Sequence, residues 1–271
     1  MLFEEKLEKL PKEQKIIKLL KEGKKLLKKG DYNSAIKIYT EVIRGTPAYA
    51  EAYNKRGIAY YELKQYKKAV SDYTRAIKIN PEYAEAHYNR GNTYYELAQC
   101  ELAIKDYSRA IRIDPDYIEA YYKRGNTYYK LKQFDHSVKD YSEIIEINPR
   151  DTEAYYKRGH TYYKLRQYEQ SIKDYTRVIK VDLLDAEAYY NRGNAWYELA
   201  QYKKAIRDYT KAIKIDPKYV MSMVRIGMAY YEMMNKKKAL KWFKRVLEHE
   251  EELPDVGELV KELIRWLELE G

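Results

Sequence analysis

Cysteine is all but missing from this sequence. Cys100 stands alone among 271 residues, which excludes an internal disulfide framework and makes a reducing, cytoplasmic setting the expectation. Long hydrophobic runs are absent too: no 18 consecutive apolar residues occur, so no membrane-spanning helix is expected. The opening stretch MLFEEKLEKLPKEQK carries glutamates and lacks the apolar core of a secretory signal. Histidine is scarce, and His87, His136, His160 and His249 show neither metal-ligand spacing nor a cysteine pair nearby. No Ser-His-Asp order or phosphate-cradling glycine cluster appears, so neither an enzyme nor a cofactor or metal site is expected.

What fills the sequence instead is repetition. The 34-residue stretch that starts at Ala50, AEAYNKRGIAYYELKQYKKAVSDYTRAIKINPEY, recurs from Ala84, Ile118, Thr152 and Ala186. Degraded copies start at Ile16 and Val220, and a half copy at Pro254, with no insertion between any of them. A fixed period of this size means units that cannot bury their apolar faces alone and must stack on neighbours. The expected organisation is a terminal extension over 1–15, seven repeats over 16–253, and a capping helix over 254–271. Residues 2–10 are a candidate cap for the other end.

Within a copy numbered 1 to 34, apolar residues at Ala52, Tyr53, Gly57, Tyr60 and Leu63 mark a first helix, A. Those at Tyr66, Ala69, Val70, Tyr73, Ala76 and Ile77 mark a second, B. Asn80-Pro81 ends the second helix, as do Pro47, Pro115, Pro149 and Pro217 in other copies. Seven of the eleven glycines fall at position 8, from Gly23 to Gly227. Mid-helix glycine costs about 1 kcal/mol against alanine. Its regular use implies close approach of helix B, with Ala35, Ala69, Ala103, Ser137, Ser171, Ala205 and Ala239 expected opposite.

An aromatic at position 4, Gly at 8, Tyr at 11, Ala at 20, Tyr or Phe at 24, a small residue at 27 and Pro at 32 resemble the tetratricopeptide repeat. The resemblance covers about residues 16–253. Leu183 departs from it where proline is usual, and the first and last copies lack the aromatic at position 4. It implies an all-α, right-handed superhelical solenoid of antiparallel helix pairs. Its concave groove, lined by A helices, would hold a protein or peptide ligand.

The family usually places an apolar residue at position 7, but Arg56, Arg90, Arg124, Arg158 and Arg192 stand there. The same copies have aspartate at position 23: Asp72, Asp106, Asp140, Asp174 and Asp208. The outer copies lose both at once, with Glu22 and Ile38 in the first and Ile226 and Trp242 in the last. Positions that change together imply an interhelical ion pair that sets register rather than a catalytic dyad.

The resemblance puts positions 2, 5, 6, 9, 12 and 13 on the groove. Candidate ligand contacts are then Glu85, Tyr88, Asn89 and Asn92; Glu119, Tyr122, Lys123 and Asn126; Glu153, Tyr156, Lys157 and His160; and Tyr190, Asn191 and Asn194. Tyrosine offers contact area at low entropic cost, and asparagine can bond a peptide main chain in both senses. Tyr61, Tyr95, Tyr129, Tyr163, Tyr197 and Tyr231 form a further column at position 12. The family's clamp for chaperone C-terminal tails needs lysine at positions 2 and 5. Position 2 is glutamate in all five middle copies, so that partner is disfavoured.

The formal net charge is +10, with +5 in residues 1–30 and −7 in residues 248–271, which leaves +12 between them. The groove positions of the five middle copies sum to −3, while lysines crowd helix B, as in Lys203, Lys204, Arg207, Lys211 and Lys214. A nucleic acid would have to use the outer face. Self-association is a third expectation, through the apolar first and last copies: Ile17, Leu20 and Leu27; Met221, Val224 and Met228.

Overall fold

The computed structural model describes residues 11–249 and 254–269. The candidate cap at residues 2–10 lies outside them. Among the described residues there are fifteen α-helices and no strand. The chain divides into two compact units, one ending at Gln133 and the other beginning at Phe134.

The first unit holds α1 (Lys12–Lys29), α2 (Tyr32–Gly45), α3 (Ala50–Glu62), α4 (Tyr66–Ile79), α5 (Ala84–Glu96), α6 (Cys100–Ile113) and α7 (Ile118–Lys130). The second holds α8 (Phe134–Ile147), α9 (Thr152–Lys164), α10 (Tyr168–Val181), α11 (Ala186–Glu198), α12 (Tyr202–Ile215), α13 (Val220–Glu232), α14 (Lys236–Leu247) and α15 (Pro254–Leu269). Each helix packs on the next within its unit, and successive A helices also touch one another. α1 opens at Lys12, ahead of the copy that begins at residue 16, because Pro11 occupies its N-cap.

The link from A to B is a three-residue turn whose middle residue is left-handed. Lys64, Ala98, Lys132, Arg166, Ala200 and Met234 all have φ of 55–59°, and Gly30 has φ of 76° in the first copy. The turn closes as a Schellman motif: Gln65 N–H donates to Tyr60 O and Lys64 N–H to Tyr61 O, both at 2.8 Å. Only the first copy uses the residue best suited to this geometry.

The link from B to A is held by an Asx turn. Asn80, Asp114, Asn148, Asp182 and Asp216 each accept, through the side chain, from the backbone N–H two residues on. Leu183 therefore costs little as a substitute for proline, since Asp182 still accepts from Leu184 N–H at 2.8 Å. Leu183 and Leu184 are left exposed.

Position 8 is tight for a different reason than expected. A Cβ added at Gly57 would lie 2.6 Å from the Tyr73 ring, one at Gly193 2.7 Å from the Tyr209 ring, and one at Gly227 2.5 Å from the Phe243 ring. At these positions the glycine makes room for the aromatic at position 24, with the position-20 residue a secondary neighbour, as at Gly91, where the Ala103 carbonyl is 3.3 Å away. At Gly159 the order reverses, with Asp174 Cβ at 3.1 Å and Ser171 O at 3.5 Å nearer than the Tyr175 ring at 3.6 Å. Tyr39, Tyr73 and Tyr107 in the first unit, and Tyr141, Tyr175 and Tyr209 in the second, are all essentially buried. In the last helix, Val260, Ile264 and Leu267 join the cluster containing Phe243 and Val246, while Asp255, Glu258 and Glu262 are exposed.

Candidate functional site

Arginine at position 7 makes three bonds. Arg56 Nε and Nη2 donate to Asp72 at 2.7 Å each, and Nη1 donates to Thr40 Oγ1 at 3.0 Å. Arg90 repeats this with Asp106 and Thr74, Arg158 with Asp174 and Ser142, and Arg192 with Asp208 and Thr176. The fork thus ties helix A to helix B of its own copy and to helix B of the copy before. Arg124 makes the corresponding bond to Ser108 at 2.9 Å; its expected partner Asp140 belongs to the other unit. The hydroxyl at position 25 escaped the sequence reading. Its signal was available: Thr40, Thr74, Ser108, Ser142 and Thr176 each precede a copy with arginine. Thr210 precedes Ile226 and donates to its own helix, at Ile206 O, instead.

Position 9 is engaged inward. Tyr107 OH donates to Asn92 Oδ1 and Tyr209 OH to Asn194 Oδ1, both at 2.9 Å, and Tyr175 OH lies 3.5 Å from His160 Nδ1. Asn194, expected on the groove surface, is buried. These side chains satisfy the buried phenol of position 24, a group that cannot be left unpaired cheaply. In the first copy Lys24 stands at position 9, and the buried Tyr39 hydroxyl has no partner. Burial and Lys164 together hold the His160 imidazole below its ordinary value.

Positions 2, 5 and 6 link neighbouring copies. Lys55 Nζ donates to Glu85 at 2.9 Å, and Asn89 Nδ2 donates to Asn54 Oδ1 at 3.0 Å. Tyr156 OH donates to Glu187 at 2.5 Å and accepts from Asn191 Nδ2 at 2.7 Å. Glu153 instead pairs within its helix, 3.4 Å from Lys157. Tyr88 and Tyr190 lie against rings of their own copies: Tyr88 is 5.0 Å from Tyr117, and Tyr190 is 5.2 Å from Tyr219. Glu119 and Lys123 are exposed on α7, with Tyr122 and Asn126 half-buried beside them.

The tyrosines of position 12 are half-buried, like those of position 5. Lys130 Nζ sits 4.6 Å from the Tyr95 ring centre. Tyr163 OH donates to Glu198 at 3.2 Å and Tyr197 OH to Glu232 at 3.5 Å, each in the following copy. Burial and these carboxylates push both phenols up to about 12, so they remain donors at neutral pH.

Models of the tetratricopeptide repeat match residues 23–64, 57–98, 91–132 and 125–166, and again 152–182 and 186–219. The chain belongs to the tetratricopeptide-repeat family. That family is in general one of non-catalytic protein-interaction scaffolds. Solved tetratricopeptide-repeat structures share the fold. The C-terminal part of a TPR repeat-containing protein from Cytophaga hutchinsonii superposes with a TM-score of 0.74 at 21% identity, covering 85% of this chain and 95% of its own. YrrB, described as a TPR protein with an unusual peptide-binding site, gives 0.63 at 23%, with coverage of 68% and 95%. MamA gives 0.60 at 26%, with coverage of 65% and 96%. No curated protein matches the chain. No helix among the described residues is long and apolar enough to cross a membrane.

Proposed function

We propose that this tetratricopeptide-repeat chain is a non-catalytic scaffold whose second unit holds an extended segment of a partner protein on its A-helix face, chiefly through Tyr163 and Tyr197 of position 12. The observation that carries this reading is the state of Tyr163 and Tyr197. Each is half-exposed, and each hydroxyl is tethered to a glutamate of the next copy, so the rings are fixed before any partner arrives. The asparagines of position 9 contribute little to the contact, because buried tyrosines already occupy their amide oxygens. Selectivity would come from the carboxylates beside the rings, Glu198 and Glu232.

The experiment is affinity capture from lysate with the wild-type chain and with Tyr163→Ser and Tyr197→Ser combined. Circular dichroism serves as the folding control. Selective loss of captured proteins by a folded variant supports the reading. Equal recovery by both removes position 12 from the contact.

A further inference from the structure

The B helices of the second unit end in a surface of another kind. α14 reads KKKALKWFKRVL, with six cationic side chains and no acidic one. α12 carries five cations and one acid, Asp208, which is buried and held by Arg192. Of the apolar residues of α14, Ala239, Phe243 and Val246 are buried, while Leu240, Trp242 and Leu247 are half-buried at the edge of the core. What remains outward is charge interleaved with rings.

Those rings are ordered by the cations. Lys238 Nζ lies 5.2 Å from the Tyr230 ring centre, and the Arg245 guanidinium 5.1 Å from that of Trp242. On the neighbouring helix pair Lys204 Nζ lies 4.3 Å from the Trp196 ring. Tyr230, Lys238, Lys241, Trp242 and Arg245 line one open cleft of about 1120 Å3 on α13 and α14, with Leu240 and a single acid, Glu248, at its edge. Trp242 occupies position 23, where the five middle copies have the aspartate of the ion pair. The loss of that pair has removed an acid and supplied an indole at the same place.

The geometry points to a binding site for single-stranded nucleic acid in the α13–α14 cleft, extended by the cations of α12. Phosphates would take the Lys238, Lys241 and Arg245 side chains, and bases would stack against Trp242 and Tyr230. The chemistry selects this ligand over two other anionic partners. An anionic membrane needs apolar side chains free to insert, and Leu240, Trp242 and Leu247 are half-buried against the core rather than projecting beyond the cations. An acidic peptide would use the charge but leave the paired rings without a flat partner.

The test is fluorescence anisotropy of a labelled oligouridylate with the full chain, across a salt series. The test variant is Lys238→Gln, Lys241→Gln and Arg245→Gln combined. The control, Lys67→Gln, Lys68→Gln and Arg75→Gln, removes as much charge from exposed positions of α4 in the other unit. The test variant should bind at least tenfold more weakly and flatten the slope of log K against log salt by about two, at roughly 0.7 per lost contact with a single strand. The control should leave both unchanged, and Trp242→Phe should abolish most of the tryptophan quenching on saturation. Equal weakening by the control overturns the site, as does a failure to bind at low salt. Tighter binding of polyglutamate or of phosphatidylserine vesicles than of the oligonucleotide overturns the assigned ligand.

Discussion

His87 Nδ1 lies 3.4 Å from Asp106 Oδ1, the oxygen that also accepts from Arg90 Nη2 at 2.8 Å. His87 Nε2 is 3.1 Å from Pro81 O, so the two ring nitrogens face two acceptors. Tyrosine stands at this place in the other four middle copies, so among them only Asp106 meets a histidine from position 4. Burial alone would push the Asp106 carboxyl up, but the hydrogen bonds from Arg90 and His87 outweigh it and hold the group below its ordinary value.

A pH dependence follows from that shift. The native carboxyl binds its proton at lower pH than the unfolded one. The stabilisation is therefore complete above the unfolded value of about 3.9 and is lost as pH falls through the native value. His87→Phe removes one donor and should move the acid limb of stability to higher pH. Urea unfolding midpoints measured from pH 6 down to pH 2 give the comparison. Superimposable limbs would show that His87 contributes nothing to the carboxylate.

The ion pair should show the asymmetry of buried charges. Asp208→Ala strands Arg192 and should cost about 3–5 kcal/mol. Arg192→Leu with Asp208→Leu leaves no stranded charge and should cost less than the single change. Chemical denaturation of the two variants gives the order. The opposite order would mean the pair is not coupled as its 2.7–2.8 Å bonds imply.

Two buried phenols should respond oppositely to the same substitution. Tyr209→Phe leaves the buried Asn194 amide without its donor and should cost about 1–3 kcal/mol. Tyr39→Phe removes a hydroxyl that has no partner and should be neutral or stabilising. Thermal melts of both variants suffice, and equal losses would refute the role given to position 9.

The left-handed turns offer a gain. Ala98 and Ala200 hold φ of 57° and 55°, a conformation costing a residue with a Cβ about 1–2 kcal/mol. Ala98→Gly and Ala200→Gly should each raise stability by about 1 kcal/mol, and Gly30→Ala should lower it by a similar amount. Unfolding midpoints that do not move would mean the strain is relieved elsewhere.

The sequence by itself determined the 34-residue period, the helix pairs and the faces they bury, because hydrophobic spacing at 3.6 residues per turn encodes a face directly. It also determined the pairing of Arg56 with Asp72, Arg90 with Asp106, Arg158 with Asp174 and Arg192 with Asp208, since two positions that change together leave a record in the letters. The tertiary structure alone decided who bonds to whom between copies. Lys55 reaching Glu85, Asn89 reaching Asn54 and Arg90 reaching Thr74 depend on how one helix pair is rotated on the next. It decided the left-handed turn at Lys64 and its equivalents as well, because tight packing of both helices fixes the length of the link and leaves the residue there no other backbone conformation. Asparagine at position 9 looked like a ligand contact because an amide suits either task. Whether a buried tyrosine hydroxyl already holds it is a matter of three-dimensional distance, and no spacing along the chain records that.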